Sequence, residues 1–120
     1  MQTDFDSKLR EVVARDGRYA VNAYRFIYEA LDHTIKGLGR RGHVTGRQLL
    51  EGIREFALEQ LGGLAPMVFH QWGVRKTNDF GNIVFNLVNA ELMSRSETDS
   101  LEDFNDVYDF RTVFRIDKKG

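Results

Sequence analysis

One segment, Thr77 to Met93 (TNDFGNIVFNLVNAELM), leaves the fewest choices about how this chain folds. At about 100° per residue, Asn78, Asn82, Asn86 and Asn89 fall within an arc of about 80° on one side of a helix. Phe80, Ile83, Val84, Leu87 and Leu92 occupy the other side. The helix must therefore bury one face, and its opposite face is built from a poor helix former. Asparagine in a helix interior costs roughly 0.6 kcal/mol relative to alanine, where Lys, Glu, Arg or Gln would serve a solvated face. The stripe reads as a contact surface that recognises a partner through hydrogen bonds, or as a neutral face that meets only water. Phe85 lies at the edge of the arc, so the candidate interaction residues are Asn78, Asn82, Phe85, Asn86 and Asn89. An aromatic ring beside neutral amides suits a protein partner; the alternative is that Phe85 packs under the acidic C-terminal segment.

The rest of the chain reads as further helices punctuated by glycine. Residues 4–14 make a short amphipathic helix that Asp16-Gly17 breaks. A second helix from about Arg18 to Lys36 carries Tyr19, Ala23, Phe26, Ile27, Ala30, Leu31 and Ile35 at the helical period. The segment KGLGRRGHVTGR then reads as a basic, glycine-rich connector. Thr45 with Gln48 three residues later forms a capping-box pattern at the start of a third helix. Leu49, Leu50, Ile53, Phe56, Ala57 and Leu61 form its buried stripe, and Gly62-Gly63 ends it. Pro66, the single proline, fits the first turn of a short fourth helix from Ala65 to Trp72. Thr77 reads as the cap of the asparagine helix.

From Glu97 to Asp109 there are six acidic residues and no basic one, interleaved with Leu101, Phe104, Val107 and Tyr108, and followed by Phe110. That aromatic density is too high for a disordered acidic tail. The segment reads as a β-hairpin, Leu92 to Ser96 pairing with about Val107 to Phe110. The expected fold is thus an α+β domain, predominantly helical, with about five helices and a C-terminal hairpin. Its divisions are N-terminal helices (1–36), the basic loop (37–44), a three-helix segment (45–93) and the acidic-aromatic hairpin (94–116), all in one domain. Long helix, short helix, tight turn, helix and hairpin is the order of a winged helix-turn-helix, with the asparagine helix in the recognition position.

Asparagine suits adenine, but affinity for nucleic acid comes mainly from Lys and Arg on phosphates. The asparagine helix has no basic residue, and the acidic segment would face the same duplex. Arg75 and Lys76 in the tight turn, with Arg40 and Arg41 in the basic loop, are the candidate phosphate contacts. The formal net charge of −1 supplies no global field toward a polyanion. The basic loop and the acidic segment are complementary, which offers a route to self-association.

Catalytic and metal patterns are weak. Asp32 and His33 are neighbours on a helix and diverge by about 100°. Glu51, Glu55 and Glu59 share a helix face without an interleaved histidine of the Glu-x-x-His kind. GLGRRG has a dinucleotide-motif spacing but follows a helix rather than a strand. No cofactor is implied, and the absence of cysteine excludes disulfides, thiol nucleophiles and cysteine-based zinc sites. No apolar run approaches the roughly 20 residues needed to span a bilayer, and the charged N-terminus is unlike a signal peptide. A cytoplasmic protein without a membrane partner is the expectation.

From about Asp16 to Phe114 the chain resembles a small bacterial family, the Verruco-Plancto-restricted hypothetical proteins. The stretches that carry the resemblance are NAYRFIYEALDHT, HVTGRQLLEGIRE, WGVRKTNDFGNIVFNLV and DVYDF. The resemblance implies no activity, cofactor, substrate or partner. Asn86, within FNLV, fits the family pattern, whereas the places of Asn82 and Asn89 tend to be acidic there. The sequence as a whole points to a non-enzymatic protein-interaction or adaptor module, with a nucleic-acid-associated regulator as the alternative.

Overall fold

The computed structural model describes residues 2–39, 44–93 and 101–114. Among these are helices α1 (Gln2–Arg15), α2 (Val21–Leu38), α3 (Gly46–Leu61), α4 (Ala65–Gln71), α5 (Thr77–Asn89) and the short α6 (Phe110–Val113), with single 3₁₀ turns at Gly62–Leu64 and Leu101–Phe104. Helices α2 and α3 pack side by side, α5 lies against both, and α4 closes one end. The crossing of α2 and α3 is close because Gly52 has no side chain. A Cβ there would sit 1.8 Å from the Thr34 hydroxyl oxygen.

Local signals set most helix ends. The Thr45 hydroxyl accepts from the Gln48 amide at 3.0 Å, and the Gln48 side chain accepts from the Thr45 amide at 2.9 Å. Helix α2 runs past Gly37 and stops at Gly39, whose φ of 71° is the left-handed conformation that glycine adopts without strain. Thr77 does not cap α5, contrary to expectation. It is the first residue of the helix, fully buried, and the Asp79 carboxylate reaches back to the Arg75 and Lys76 amides at 2.8 and 3.2 Å.

The core is strongly aromatic. Phe69 of α4 is fully buried, and Phe26, Phe80, Phe110, Phe114 and Trp72 surround it at ring separations of 5.3–5.9 Å. Such distances suit edge-to-face and tilted ring pairs. The Leu101–Phe104 turn closes over α3 and α5 by lodging Phe104 in a slot left by Gly46 and Gly81. A Cβ on either glycine would come within about 3 Å of Phe104 or Asp103 side-chain atoms.

The C-terminal hairpin is not present: the described residues contain no strand, so the α+β assignment is corrected to a mostly helical fold. Val107–Asp109 lies in no helix or ladder, with Asp109 in extended dihedrals, and Phe110 begins α6. The reason is visible in the side chains. Phe110 and Phe114 are four apart, the spacing that puts both on one face of a helical turn and into the Phe69 cluster. Asp109 starts that turn by accepting from the Arg111 amide at 2.8 Å. Without a hairpin there is no wing, and the winged-helix resemblance of the second half falls with it. Ser94–Ser96 of the expected first strand, and Arg40, Arg41 and His43 of the basic loop, lie outside the described residues.

Candidate functional site

The asparagine stripe does not form an open face. Asn86 donates to the Asp16 carboxylate and to the Tyr24 hydroxyl, each at 2.9 Å. Asn82 donates to the Tyr19 hydroxyl at 3.0 Å, and that hydroxyl in turn donates to Asp79 at 2.6 Å. At the N-terminal end, Asn78 donates to the Asn105 side chain and accepts from the Asp106 amide, both at 3.0 Å. Three of the four asparagines therefore brace α5 against the α1–α2 link and against the 105–106 turn. Only Phe85 and Asn89 are exposed within α5.

The link that receives these bonds is itself shaped by charge. Arg18 grips Asp16 through both its guanidinium and its amide. This bond holds the Asp16 carboxyl well below the usual carboxylate range, against the opposing effect of burial. Burial pushes the Tyr19 hydroxyl up to about 12, aided by its bond to the Asp79 carboxylate. Burial also raises Tyr24, and the bond from Asn86 opposes it. The Ala20 amide reaches the Trp72 carbonyl at 3.0 Å, and Gly73 passes so close to Arg18 that a Cβ would sit 2.1 Å from its carbonyl oxygen. Each donor has an acceptor already in place, so this network is suited to holding elements together.

A second polar cluster joins α2 to α3. His33 lies 3.6 Å from Glu55 and 3.9 Å from Glu59, with its ring 5.3 Å from that of Phe56. A search for a histidine within the glutamate helix misses it, because the residue arrives from the neighbouring helix. Asp32 turns instead to Lys36, at 3.0 Å.

An open concave surface lies beside the N-terminal end of α5. A shallow groove of about 700 Å³ runs between α4, the 74–76 turn and residues 106–111. Pro66, Val74 and Val107 give it apolar lining, and His70, Arg75, Lys76 and Arg111 contribute nitrogen-bearing side chains. Asp106 and Asp109 also line it, and Arg111 pairs with Asp109 at 3.3 Å. Arg75 and Lys76 are exposed and make no side-chain ion pair among the described residues. The Tyr108 hydroxyl donates to the Leu50 carbonyl at 2.8 Å, and burial pushes its pKa well above the usual phenol range, so it stays protonated. Beside the groove, Leu64 and Met67 stand 59% and 54% exposed. Sequence reasoning singled out Arg75 and Lys76 but not Arg111, Leu64 or Met67. A signal was present for Met67, which sits about 60° from His70 around α4 and so shares its polar side.

No described helix is long and apolar enough to cross a membrane. Comparison with protein-family models, with curated proteins and with solved structures finds no match to this chain.

Proposed function

We propose that this protein is a non-enzymatic protein-interaction module whose contact surface is the groove beside α4 and its apolar shoulder. The observation that carries the reading is the exposure of Leu64 and Met67 next to that groove. The other large apolar side chains of α4, Val68 and Phe69, are partly or fully covered. Isolated exposed apolar residues are ordinary. Two of them flanking Pro66, which lines a groove with a charged rim, have the anatomy of an interface core with a polar edge.

The proposed contact surface thus moves from the asparagine face to the neighbouring groove, whose Asp106 is bonded to Asn78. Asn78, Asn82 and Asn86 are engaged within the chain, and Phe85 with Asn89 is what α5 still offers a partner. Catalysis is disfavoured because the groove pairs no nucleophile with a base. Tyr108 is committed to a carbonyl, and His70 has no hydrogen-bond partner among the described side chains. A nucleic-acid ligand is disfavoured by the inward turn of the asparagines, which takes the base-reading groups of the stripe off the surface. Membership of the family whose motifs the chain resembles belongs to the same proposal and rests on those motifs.

The test is recovery of partners by tagged full-length chain from its native cells, with nuclease present. Leu64→Glu combined with Met67→Glu is expected to leave thermal unfolding nearly unchanged and to abolish recovery of the partner. If the double variant recovers the same proteins as wild type, or wild type recovers none, the reading is wrong. Binding that disappears on nuclease treatment would favour the nucleic-acid alternative.

A further inference from the structure

We infer that the groove takes an extended, acidic segment of a partner protein, added as a strand along Val107–Asp109 with its carboxylates on Arg75 and Lys76. This rests on the interaction reading above and names the occupant of its groove.

The backbone provides the first argument. Val107–Asp109 lies in no helix or ladder, and Asp109 has the extended dihedrals φ −99° and ψ 126°. The segment is nevertheless fixed at both ends. Phe104 and Phe110 are buried on either side of it, and the Thr77 hydroxyl donates to the Phe104 carbonyl at 2.6 Å while accepting from the Val107 amide at 3.0 Å. The Tyr108 side chain is tied to Leu50. In an extended chain successive residues point their N–H and C=O to opposite edges. Val107 turns its amide inward to Thr77, so Tyr108 presents its amide and carbonyl at the other edge. Neither has a hydrogen-bond partner among the described residues. A short, pre-ordered, unpaired extended segment is what strand addition requires, since main-chain bonds supply affinity and little ordering entropy is lost.

Charge selects the occupant. Of the charged residues lining the groove, Arg111 and Asp109 neutralise each other, leaving Arg75 and Lys76 against Asp106. Among the lining side chains the charge left over is positive, while the nearby Asp79 carboxylate accepts from the Arg75 and Lys76 backbone amides. A strand laid in the groove turns alternate side chains toward the half-buried Pro66 and sets carboxylates within reach of the two cations. A phosphate backbone would bring charge without the amide and carbonyl that Tyr108 asks for.

A random-peptide phage library panned on the full chain tests this, with Arg75→Glu combined with Lys76→Glu as the comparison target. Acidic peptides with alternating apolar residues are expected to enrich on wild type and not on the double variant. The enriched peptide is then synthesised with alternate backbone amides N-methylated, in each of the two registers. One register is expected to lose at least about tenfold in affinity, the other to bind as before. Enrichment of basic peptides, of peptides with helical three-and-four spacing, or of none overturns the inference. So does equal tolerance of N-methylation in both registers. Were the library to fail while Leu64→Glu with Met67→Glu still abolished partner recovery, the occupant would be wrong and the interaction reading would stand.

Discussion

The two ends of α5 treat polar residues in opposite ways. Toward the α1–α2 link, Asn82 and Asn86 spend their amide protons on Tyr19, Tyr24 and Asp16 inside the molecule. Toward α4, the cations of Arg75 and Lys76 face a groove and pair with nothing among the described residues. A stripe of neutral amides looks like a recognition surface, but three of the four are engaged inside the molecule, while the two basic residues of the tight turn stand exposed beside the groove. Function is to be sought where polar groups lack partners, because a satisfied network has little left to offer a ligand.

The comparison breaks most visibly at the joint between the two ends, Thr77. Its buried hydroxyl donates to the Phe104 carbonyl and accepts from the Val107 amide. Thr77→Val preserves shape and orphans both groups, at an expected cost of about 2–3 kcal/mol. Urea unfolding measures it as a lowered midpoint with little change in slope. A loss below about 0.5 kcal/mol would mean that the 101–114 segment is held by Phe104 packing alone, with the hydroxyl incidental.

That joint also marks the limit of what the sequence discloses. The capping box at Thr45 and Gln48, the glycine stop after α3 and the proline in the first turn of α4 are local, and each is found where its chemistry places it. The 101–114 segment is decided by distant residues. Tyr108 and Phe110, two apart, suggest a strand, whereas the aromatic pocket around Phe69 and the slot at Gly46 and Gly81 favour a 3₁₀ turn and a single helical turn. Neither pocket nor slot exists until α3, α4 and α5 have packed. The asparagines are similar. Their partners Asp16, Tyr19 and Tyr24 lie more than sixty residues earlier, and composition does not say that Asn86 will meet Asp16. The exposure of Arg75 and Lys76 was legible in the sequence, because exposure of a charged turn is a local property.

Within α5 itself, Asn86 and Asn89 offer a sharper and smaller contrast. Both are asparagines on the same arc, but Asn86 makes two internal bonds and Asn89 is exposed. Asn86→Ala is expected to lose about 1–2 kcal/mol, since the gain in helix propensity offsets only part of the lost bonds. Asn89→Ala is expected to be neutral or to gain a few tenths of a kcal/mol. Thermal or urea unfolding of the two variants side by side decides the matter. Equal effects would return the stripe to a solvated face.

The smallest effect concerns Asp16 and pH. Its carboxyl ionises far below the usual range in the folded state, chiefly through the Arg18 bond, and near 3.9 when unfolded. A depressed carboxylate pKa contributes stability that is fully present above the unfolded value and is lost as pH falls through the folded one. The loss therefore sets in below about pH 4 to 5 and continues downward. Arg18→Ala removes the main cause, so the variant should be weaker than wild type near neutral pH and should converge on it as the solution is acidified. Arg18 is more than half exposed, so solvent and salt screen the pair, and the gap should narrow at high ionic strength. Urea midpoints measured across that acid range, at low and high salt, give the result. A gap that does not change with pH would leave Arg18 acting through its cover of the Tyr19 ring, which its guanidinium approaches at 5.1 Å, and not through Asp16.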